Sequence, residues 1–370
     1  MRNVKQITPN NSTKMVGLFS PILLDEKVDS NVLFNQSSIV SPLNLNNKNN
    51  SINFTSFNKC SNYDKLIKVK KIGEGTFGNV YLVKNKCNNF YALKKYFNNK
   101  ETDMRFRLQK IVKLIKMLNH ISLPDFYETF YMNNHNFVLT EYYEYSLDEV
   151  IKKIHSDSIS SDSMSELLNC ISLQVISAII YLHQNKVVHR DLKPSNIMIN
   201  KEGIIKLIDL DFTKKLYNEE IKISLPIGTT FYKSPELILG LNEYSYPQDI
   251  WSLGCIIAEI YLGYPLFESR NEIETLFLIK DFSKKVLFQD QFNTLFNTKK
   301  KDIFNSDNIS NNITFNKNLN DINSEAGEFI KDCLSLDSKI RFDISKKEKF
   351  CFLKNHENID YQIVTDYLKK

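Results

Sequence analysis

Paired cysteines are the first feature that the sequence lacks. Its six cysteines stand singly, at positions 60, 87, 170, 255, 333 and 351, and none belongs to a C-x-x-C pair. A zinc ribbon or a disulfide framework is therefore not indicated. We expect a protein of a reducing compartment, cytoplasmic or nuclear and not secreted.

Long apolar runs and a strong charge of one sign are also missing. The apolar stretch 175–182, "VISAIIYL", falls short of the ~18 to 20 residues that span a bilayer, and the first residues carry no secretion signal. The net charge is only +5 in 370 residues, which does not by itself indicate a nucleic-acid partner. The 42% of hydrophobic residues can bury one large or two medium cores. We therefore expect a soluble protein with no nucleic-acid and no membrane partner.

The first part of the chain differs in composition from the rest. Residues 1–62 are rich in Asn and Ser and lack periodicity, which predicts a mostly disordered extension. A biased genome composition would produce the same richness without any function. A second stretch of this kind, 297–321, predicts a surface insertion.

Periodic segments fill the remainder and indicate an α+β protein. Alternating strands and one helix, 104–120, predict a small strand-rich part that covers residues 63–145. A larger, mainly helical part covers 146–355, and a tail covers 356–370. The helices predicted for the larger part are 147–155, 164–185, 247–263 and 325–335.

A glycine-rich segment, "IGEGTFGNVY", follows the first of these strands. Its G-x-G-x-x-G pattern lets a backbone approach phosphates without a clash from Cβ atoms. The third glycine runs into a strand and not a helix, which favours a hairpin lid; a plain glycine-rich hairpin is the alternative. The candidate nucleotide-binding residues are Ile72, Gly73, Glu74, Gly75, Thr76, Phe77, Gly78, Asn79 and Val80.

Polar residues in three further segments complete a candidate site. Lys94 lies in the strand "YALKKY", where an inward lysine needs a phosphate or carboxylate partner. The loop "HRDLKPSN" holds Asp191, Lys193 and Asn196. Asp209 follows at the end of an apolar strand, as a carboxylate that binds a metal would.

These motifs together resemble the eukaryotic protein kinases over residues 64–355, which implies a bilobal fold and a reaction that uses ATP and Mg²⁺. The resemblance implies that Asp191 is the catalytic base and that Lys193 contacts the transferred phosphate. It implies that Asn196 and Asp209 bind Mg²⁺ and that Lys94 anchors the ATP phosphates.

The same resemblance assigns roles outside the central motifs. "LTEYYE" resembles the segment that binds adenine through backbone groups, from Glu141 to Tyr143, with Thr140 controlling access behind it. Glu236 of "SPE" is expected to form a buried structural ion pair with Arg341.

Within the family, the sequence is most similar to cyclin-dependent kinases and their relatives, the CMGC group. "DIWSLGCIIAEIYLGYPLF" and the 27 residues from Asp209 to Glu236 carry this similarity. Ser224 falls where the group carries an activating phosphothreonine, and Arg190 is placed to pair with a phosphate there; an unmodified loop serine is the alternative. A cyclin-like activating subunit is implied as a partner beside protein substrates, although the segment 101–114 lacks the group's cyclin-binding signature.

Three positions depart from the family pattern. Ile111 stands where the glutamate that pairs with the strand lysine is expected. Asp211 replaces a glycine, with Leu210 in place of phenylalanine before it, and we expect Asp211 to be a turn residue and not a second metal ligand. Lys233 replaces an arginine, which leaves open a preference for proline after the target residue.

Two other functions remain open beside an active serine/threonine kinase, whose preference is implied by Lys193. The missing glutamate and the altered glycine would suit a pseudokinase, a nucleotide-binding scaffold without catalysis. A small-molecule kinase is a further alternative, although "SPE" and "DIWSLG" resemble a platform for protein substrates.

Overall fold

The computed structural model describes most of the chain from residue 65 to residue 286 and shorter parts beyond it. The predicted insertion 297–321 lies outside the described residues except for Phe315, and so do Ser224 and most of 1–62. The described residues are 33–35, 65–97, 101–132, 135–216, 221–222, 229–240, 243–286, 315, 322, 324–343, 350, 353 and 359–369.

A six-stranded antiparallel sheet and one helix, α1, form the small lobe. Its strand order is β1-β2-β3-β4-β6-β5. The three-residue β1 pairs with β2 and lies inside the segment 1–62 that we expect to be mostly disordered. The elements are β1 (Leu33–Asn35), β2 (Lys65–Gly75), β3 (Gly78–Lys84), β4 (Phe90–Tyr96), α1 (Glu101–Met117), β5 (Phe126–Met132) and β6 (His135–Glu141).

Helices dominate the large lobe, and its described strands are two or three residues long and pair in small sheets. The strands are β7 (Tyr145–Ser146), β8 (Val187–Val188), β9 (Ile197–Ile199), β10 (Ile205–Leu207), β11 (Lys214–Lys215), β12 (Ile221–Lys222) and β13 (Glu243–Tyr244). The helices are α2 (Leu147–Ser156), α3 (Ser161–Gln184), α4 (Pro235–Ile238), α5 (Tyr246–Leu262), α6 (Glu272–Val286), α7 (Ser324–Cys333) and α8 (Gln362–Leu368). The predicted α+β class and the two-part, bilobal arrangement are confirmed.

Local sequence signals explain where the central helix α5 begins and ends. Ser245 and Gln248 form a capping box, and proline at the first turn needs no N–H partner there. The helix ends at Gly263, whose φ of 81° is left-handed; a Cβ there would lie 2.6 Å from the His155 ring, so only glycine fits. Because every residue of α5 from Gln248 to Ile260 is buried, the helix runs through the core of the large lobe.

That core joins α3 to α5 and α7. Within α3, an apolar stretch is long enough to span a membrane by length and composition, but 67% of it is buried inside the protein. This burial is that of a core helix. Helix α8, in the predicted tail, also packs on α3 and buries Val364 and Tyr367.

Candidate active site

The glycine-rich segment forms the hairpin of β2 and β3, with Gly75 opposite Gly78 and a turn at Thr76 and Phe77. A Cβ at Gly78 would lie 2.1 Å from the Lys95 carbonyl oxygen, whereas one at Gly75 would meet no atom within 4 Å. The third glycine is therefore required by close strand approach. The space at Gly75 is open to a ligand.

The register of three strands brings the hairpin next to Lys94. Val80 on β3 pairs with Gly73 on β2 and with Lys94 on β4. All nine candidate residues from Ile72 to Val80 thus lie on the hairpin.

Lys94 reaches across to two carboxylates of the large lobe. Its Nζ lies 2.7 Å from Asp209 Oδ1 and 2.8 Å from Asp211 Oδ2. Asp209 has a left-handed φ of 56°, which Asp adopts more readily than most residues. This backbone conformation belongs to Asp209 and not to the residue at the altered glycine position.

Asp211 has side-chain contacts that the sequence did not indicate. It lies in a single 3₁₀ turn, Leu210–Phe212, without a positive φ. Its carboxylate is buried, and Tyr96 donates a hydrogen bond of 2.7 Å to Oδ1. Asp211 is therefore a turn residue, as expected, and it also contributes a buried, ion-paired carboxylate that the sequence did not indicate; that it is not a second metal ligand stays a prediction. Leu210 is also buried, so it takes a core position.

The charges of this trio set the protonation of its members. Burial by itself lowers the pKa of Lys94, but the carboxylates of Asp211 and Asp209 outweigh it and raise that pKa. Burial raises the pKa of Asp209, but Lys94 outweighs it and the net shift is downward. The pKa of Asp211 is raised by burial and by the charge of Asp209, with Lys94 opposing.

The loop 189–196 gathers the remaining polar residues. Asp191 Oδ2 lies 3.0 Å from Lys193 Nζ, and Asn196 Nδ2 donates to the same oxygen at 3.0 Å. Asn196 also donates to the Asp191 carbonyl at 2.8 Å. Asp191 and Asn196 are each 6% exposed, so packing and hydrogen bonds together hold this arrangement in place.

Two groups of this cluster fit a magnesium ion. Because Asn196 Nδ2 makes both hydrogen bonds, its side-chain oxygen is left as a ligand, and Asp209 offers Oδ2 beside the oxygen that binds Lys94. The Ile208 N–H donates to the Asn196 carbonyl at 2.9 Å, which ties the two segments together. Mg²⁺ is commonly bound by one or two protein carboxylates together with substrate phosphates, so this donor set suits it.

Asp249 of α5 holds the loop from below and was not singled out from the sequence. Its buried carboxylate accepts from the N–H groups of His189, at 2.8 Å, and Arg190, at 2.9 Å. His183 contacts it at 3.1 Å. Burial raises the pKa of Asp249, but these hydrogen bonds outweigh it and the pKa is lowered. The available signal was an acidic residue in the first turn of a very apolar helix.

The segment after β6 is the expected adenine-binding position. The Glu141 N–H donates to the Asp125 carbonyl at 3.0 Å, and the Tyr143 hydroxyl donates to Glu141 at 3.2 Å. Thr140 pairs with Ala92 of β4, behind the site. These bonds fix the path of the chain where the two lobes join.

The structure contains the Glu236–Arg341 ion pair. Arg341 Nη2 donates to Glu236 Oε2 at 2.8 Å and Nη1 to Oε1 at 2.5 Å, and both residues are buried. The guanidinium also lies 5.0 Å from the Trp251 ring centre. Lys233, at the expected arginine position, binds Glu272 at 2.6 Å.

Comparison with known proteins supplies the family context. The protein kinase domain model matches residues 66–351 of the chain. A cyclin-dependent kinase G-2 of Oryza sativa subsp. indica and its counterpart of subsp. japonica are each 34% identical to the chain over 223 residues. These matches cover 59% of the chain but only 30% of each relative, so the chain spans less than a third of the length of these relatives by alignment.

Proposed function

The chain belongs to the protein kinase family, with cyclin-dependent-kinase-like features, and we propose that it is a serine/threonine protein kinase that transfers the ATP γ-phosphoryl group to protein hydroxyls. The observation that carries the proposal is the cluster around Asp191, with Lys193 and Asn196 each 3.0 Å from the same carboxylate oxygen. Lys193 of this cluster lies near enough to Asp209 to help lower its pKa, and Asp209 in turn binds Lys94 of the small lobe at 2.7 Å.

Each group has a defined task in this reaction. Asp191 accepts the hydrogen bond of the substrate hydroxyl and takes its proton, while Lys193 neutralises charge on the transferred group. Lys94 holds the phosphates under the hairpin of residues 72–80, and the segment 141–143 receives adenine. Asn196 and Asp209 would hold Mg²⁺, which supplies charge neutralisation on the phosphate oxygens.

Regulation by phosphorylation and by a partner belongs to the same proposal. Ser224 is a candidate phosphorylation site, and Arg190 is its candidate anchor. Burial lowers the pKa of Lys214, and the nearby positive charges of Arg190 and Lys110 lower it further. These three residues therefore form a cationic cluster that suits a phosphate. A cyclin-like subunit is a candidate partner. The described cysteines are free thiols, which fits the cytoplasm or nucleus.

A pseudokinase is the second candidate function, and Ile111 at the helix glutamate position is the observation that favours it. The test is transfer of radiolabelled phosphate from ATP with Mg²⁺ to the chain itself or to a generic substrate. We expect transfer by the wild type and none by Asp191→Asn. Equal signal in both, or none with any added partner, would leave the scaffold function.

A further inference from the structure

We propose that Asp211 is the counterion that positions Lys94, so that the carboxylate usually supplied by the helix of the small lobe comes here from the turn after Asp209. This inference rests on the proposed function, and it assigns a positioning role to a residue of the same site. In a protein kinase one carboxylate holds the strand lysine in place, and a different aspartate, at the position of Asp209, binds the metal.

Helix α1 cannot supply that carboxylate. Its residues 104–117 read "MRFRLQKIVKLIKM" and contain no acidic residue, and the acidic residues Glu101 and Asp103 lie in the first turn. Leu108, Ile111 and Val112 are buried, so from residue 108 onward the inward side of the helix is apolar.

Strand β4 instead presents two donors to Asp211. Lys94 and Tyr96 are two residues apart and therefore share one face of the strand. Lys94 forms its ion pair with Oδ2 at 2.8 Å, and Tyr96 donates to Oδ1 at 2.7 Å. Oδ1 thus accepts a hydrogen bond while Oδ2 lies at ion-pair distance from an ammonium group. The side chain is 5% exposed, so the geometry is held by packing as well as by charge.

The two carboxylates have separate tasks on this reading. Asp209 is more exposed, at 25%, and its second carboxylate oxygen remains for the candidate metal. Asp211 is enclosed, and its ion pair and hydrogen bond described above join it to Lys94 and Tyr96 of β4. Lys94 consequently keeps a carboxylate partner when Asp209 binds Mg²⁺.

The experiment compares ATP kinetics and nucleotide binding among variants of the full chain. We expect Asp211→Asn, which keeps the shape and removes the charge, to raise the KM for ATP by about tenfold or more, the loss expected for a charge-assisted contact. The effect on kcat should be smaller, and the Mg²⁺ concentration for half-maximal rate should not change. Asp148→Asn, the same change at an aspartate paired with Lys152 in α2, is the matched control and should leave KM unchanged.

A carboxylate introduced on α1 tests whether Asp211 acts by positioning Lys94 or only by stabilising the fold. We expect Asp211→Gly to raise the KM for ATP as Asp211→Asn does. Adding Ile111→Glu to Asp211→Gly should reverse most of that rise. Should the Asp211 variants fail to fold, Tyr96→Phe carries the test, because it removes one donor and retains the charge. Its expected effect is about a two- to fivefold rise in KM for ATP.

Three results would overturn the inference: an unchanged KM in Asp211→Asn and Tyr96→Phe, a gain of activity, or a loss of Mg²⁺ dependence equal to that of Asp209→Asn. The last would make Asp211 a metal ligand. Dissociation constants for a fluorescent ATP analogue, measured on the same proteins, do not require transfer. They decide the role of Asp211 even if the wild type proves to transfer no phosphate, which would refute only the proposed kinase activity.

Discussion

Single buried carboxylates decide much of the behaviour of this site. Asp249 and Asp211 are nearly inaccessible, and burial of a charge is costly unless hydrogen bonds and partners compensate. Asp249 is compensated by backbone donors and His183, and Asp211 by Lys94 and Tyr96. Each therefore specifies the position of a neighbour as well as its own.

We expect Asp249→Ala to destabilise the protein and to abolish most activity. Removal of the carboxylate leaves the N–H groups of His189 and Arg190 without an acceptor, at about 1 to 3 kcal/mol each. Denaturant unfolding and initial rates measure the two effects. Asp366→Ala, at an exposed position of α8, is the control and should change stability by less than about 0.5 kcal/mol. Equal effects in both variants would contradict the role of Asp249.

The hairpin of β2 and β3 is the element on which the site depends most directly. Its glycines differ in what limits them, since Gly78 is pressed against the backbone of Lys95 and Gly75 faces open space. The tip is also covered from below, because the rings of Phe77 and Phe212 lie 4.8 Å apart.

We expect Gly78→Ala to lower the melting temperature and Gly75→Ala to leave it nearly unchanged. The new methyl group at Gly78 would lie 2.1 Å from a carbonyl oxygen, so β3 and β4 must separate locally, at about 1 to 3 kcal/mol. Gly75→Ala should instead raise the KM for ATP. Thermal unfolding with ATP kinetics checks both, and a shared loss of stability would contradict the distinction.

At the scale of the whole molecule, ion pairs join parts of the chain that are far apart in sequence. Lys94 joins the small lobe to the turn at Asp209, and Arg341 joins the end of the large lobe to Glu236. Both pairs are largely enclosed. Loss of one partner leaves a buried charge, which is a larger effect than loss of a surface pair.

We expect Arg341→Met to lower the free energy of unfolding by about 3 to 5 kcal/mol, the typical cost of breaking a buried pair. Lys152→Met removes the exposed partner of Asp148 by the same substitution and should cost less than about 1 kcal/mol. Urea unfolding of the two variants measures the difference. Similar losses would mean that the buried pair is not a special contributor.

The same pair predicts a pH dependence. Burial raises the pKa of Glu236, but Arg341 outweighs it, so the folded-state pKa lies below the unfolded value of 4.5. A lowered pKa gives stability that is present above about pH 4.5 and is lost as the pH falls through the folded-state pKa. The difference in unfolding free energy between wild type and Glu236→Gln should therefore shrink below about pH 4.5. A difference that is constant from pH 7 to pH 3 would contradict this.

Features that depend on neighbouring residues could be predicted from the sequence, and contacts between residues far apart in the chain could not. The α+β class, the hairpin and the loop of Asp191 depend on local periodicity and motifs, and these agree with the structure. The partners of Asp211 did not follow from sequence, because Lys94 and Tyr96 lie 117 and 115 residues away and only the folded register brings them together. Asp249 was missed for the same reason, since its backbone donors are about 60 residues distant.

The placement of both Lys94 counterions on one turn has a consequence for small molecules. A compound that wedges between α1 and β4 would separate Leu108 from Tyr96 and break no ion pair at the lysine. A compound that rotates the turn 209–212 would withdraw Asp209 and Asp211 at once and strand a buried ammonium group. We therefore expect compounds that bind at the turn 209–212 to inhibit this protein more strongly than compounds that bind at α1.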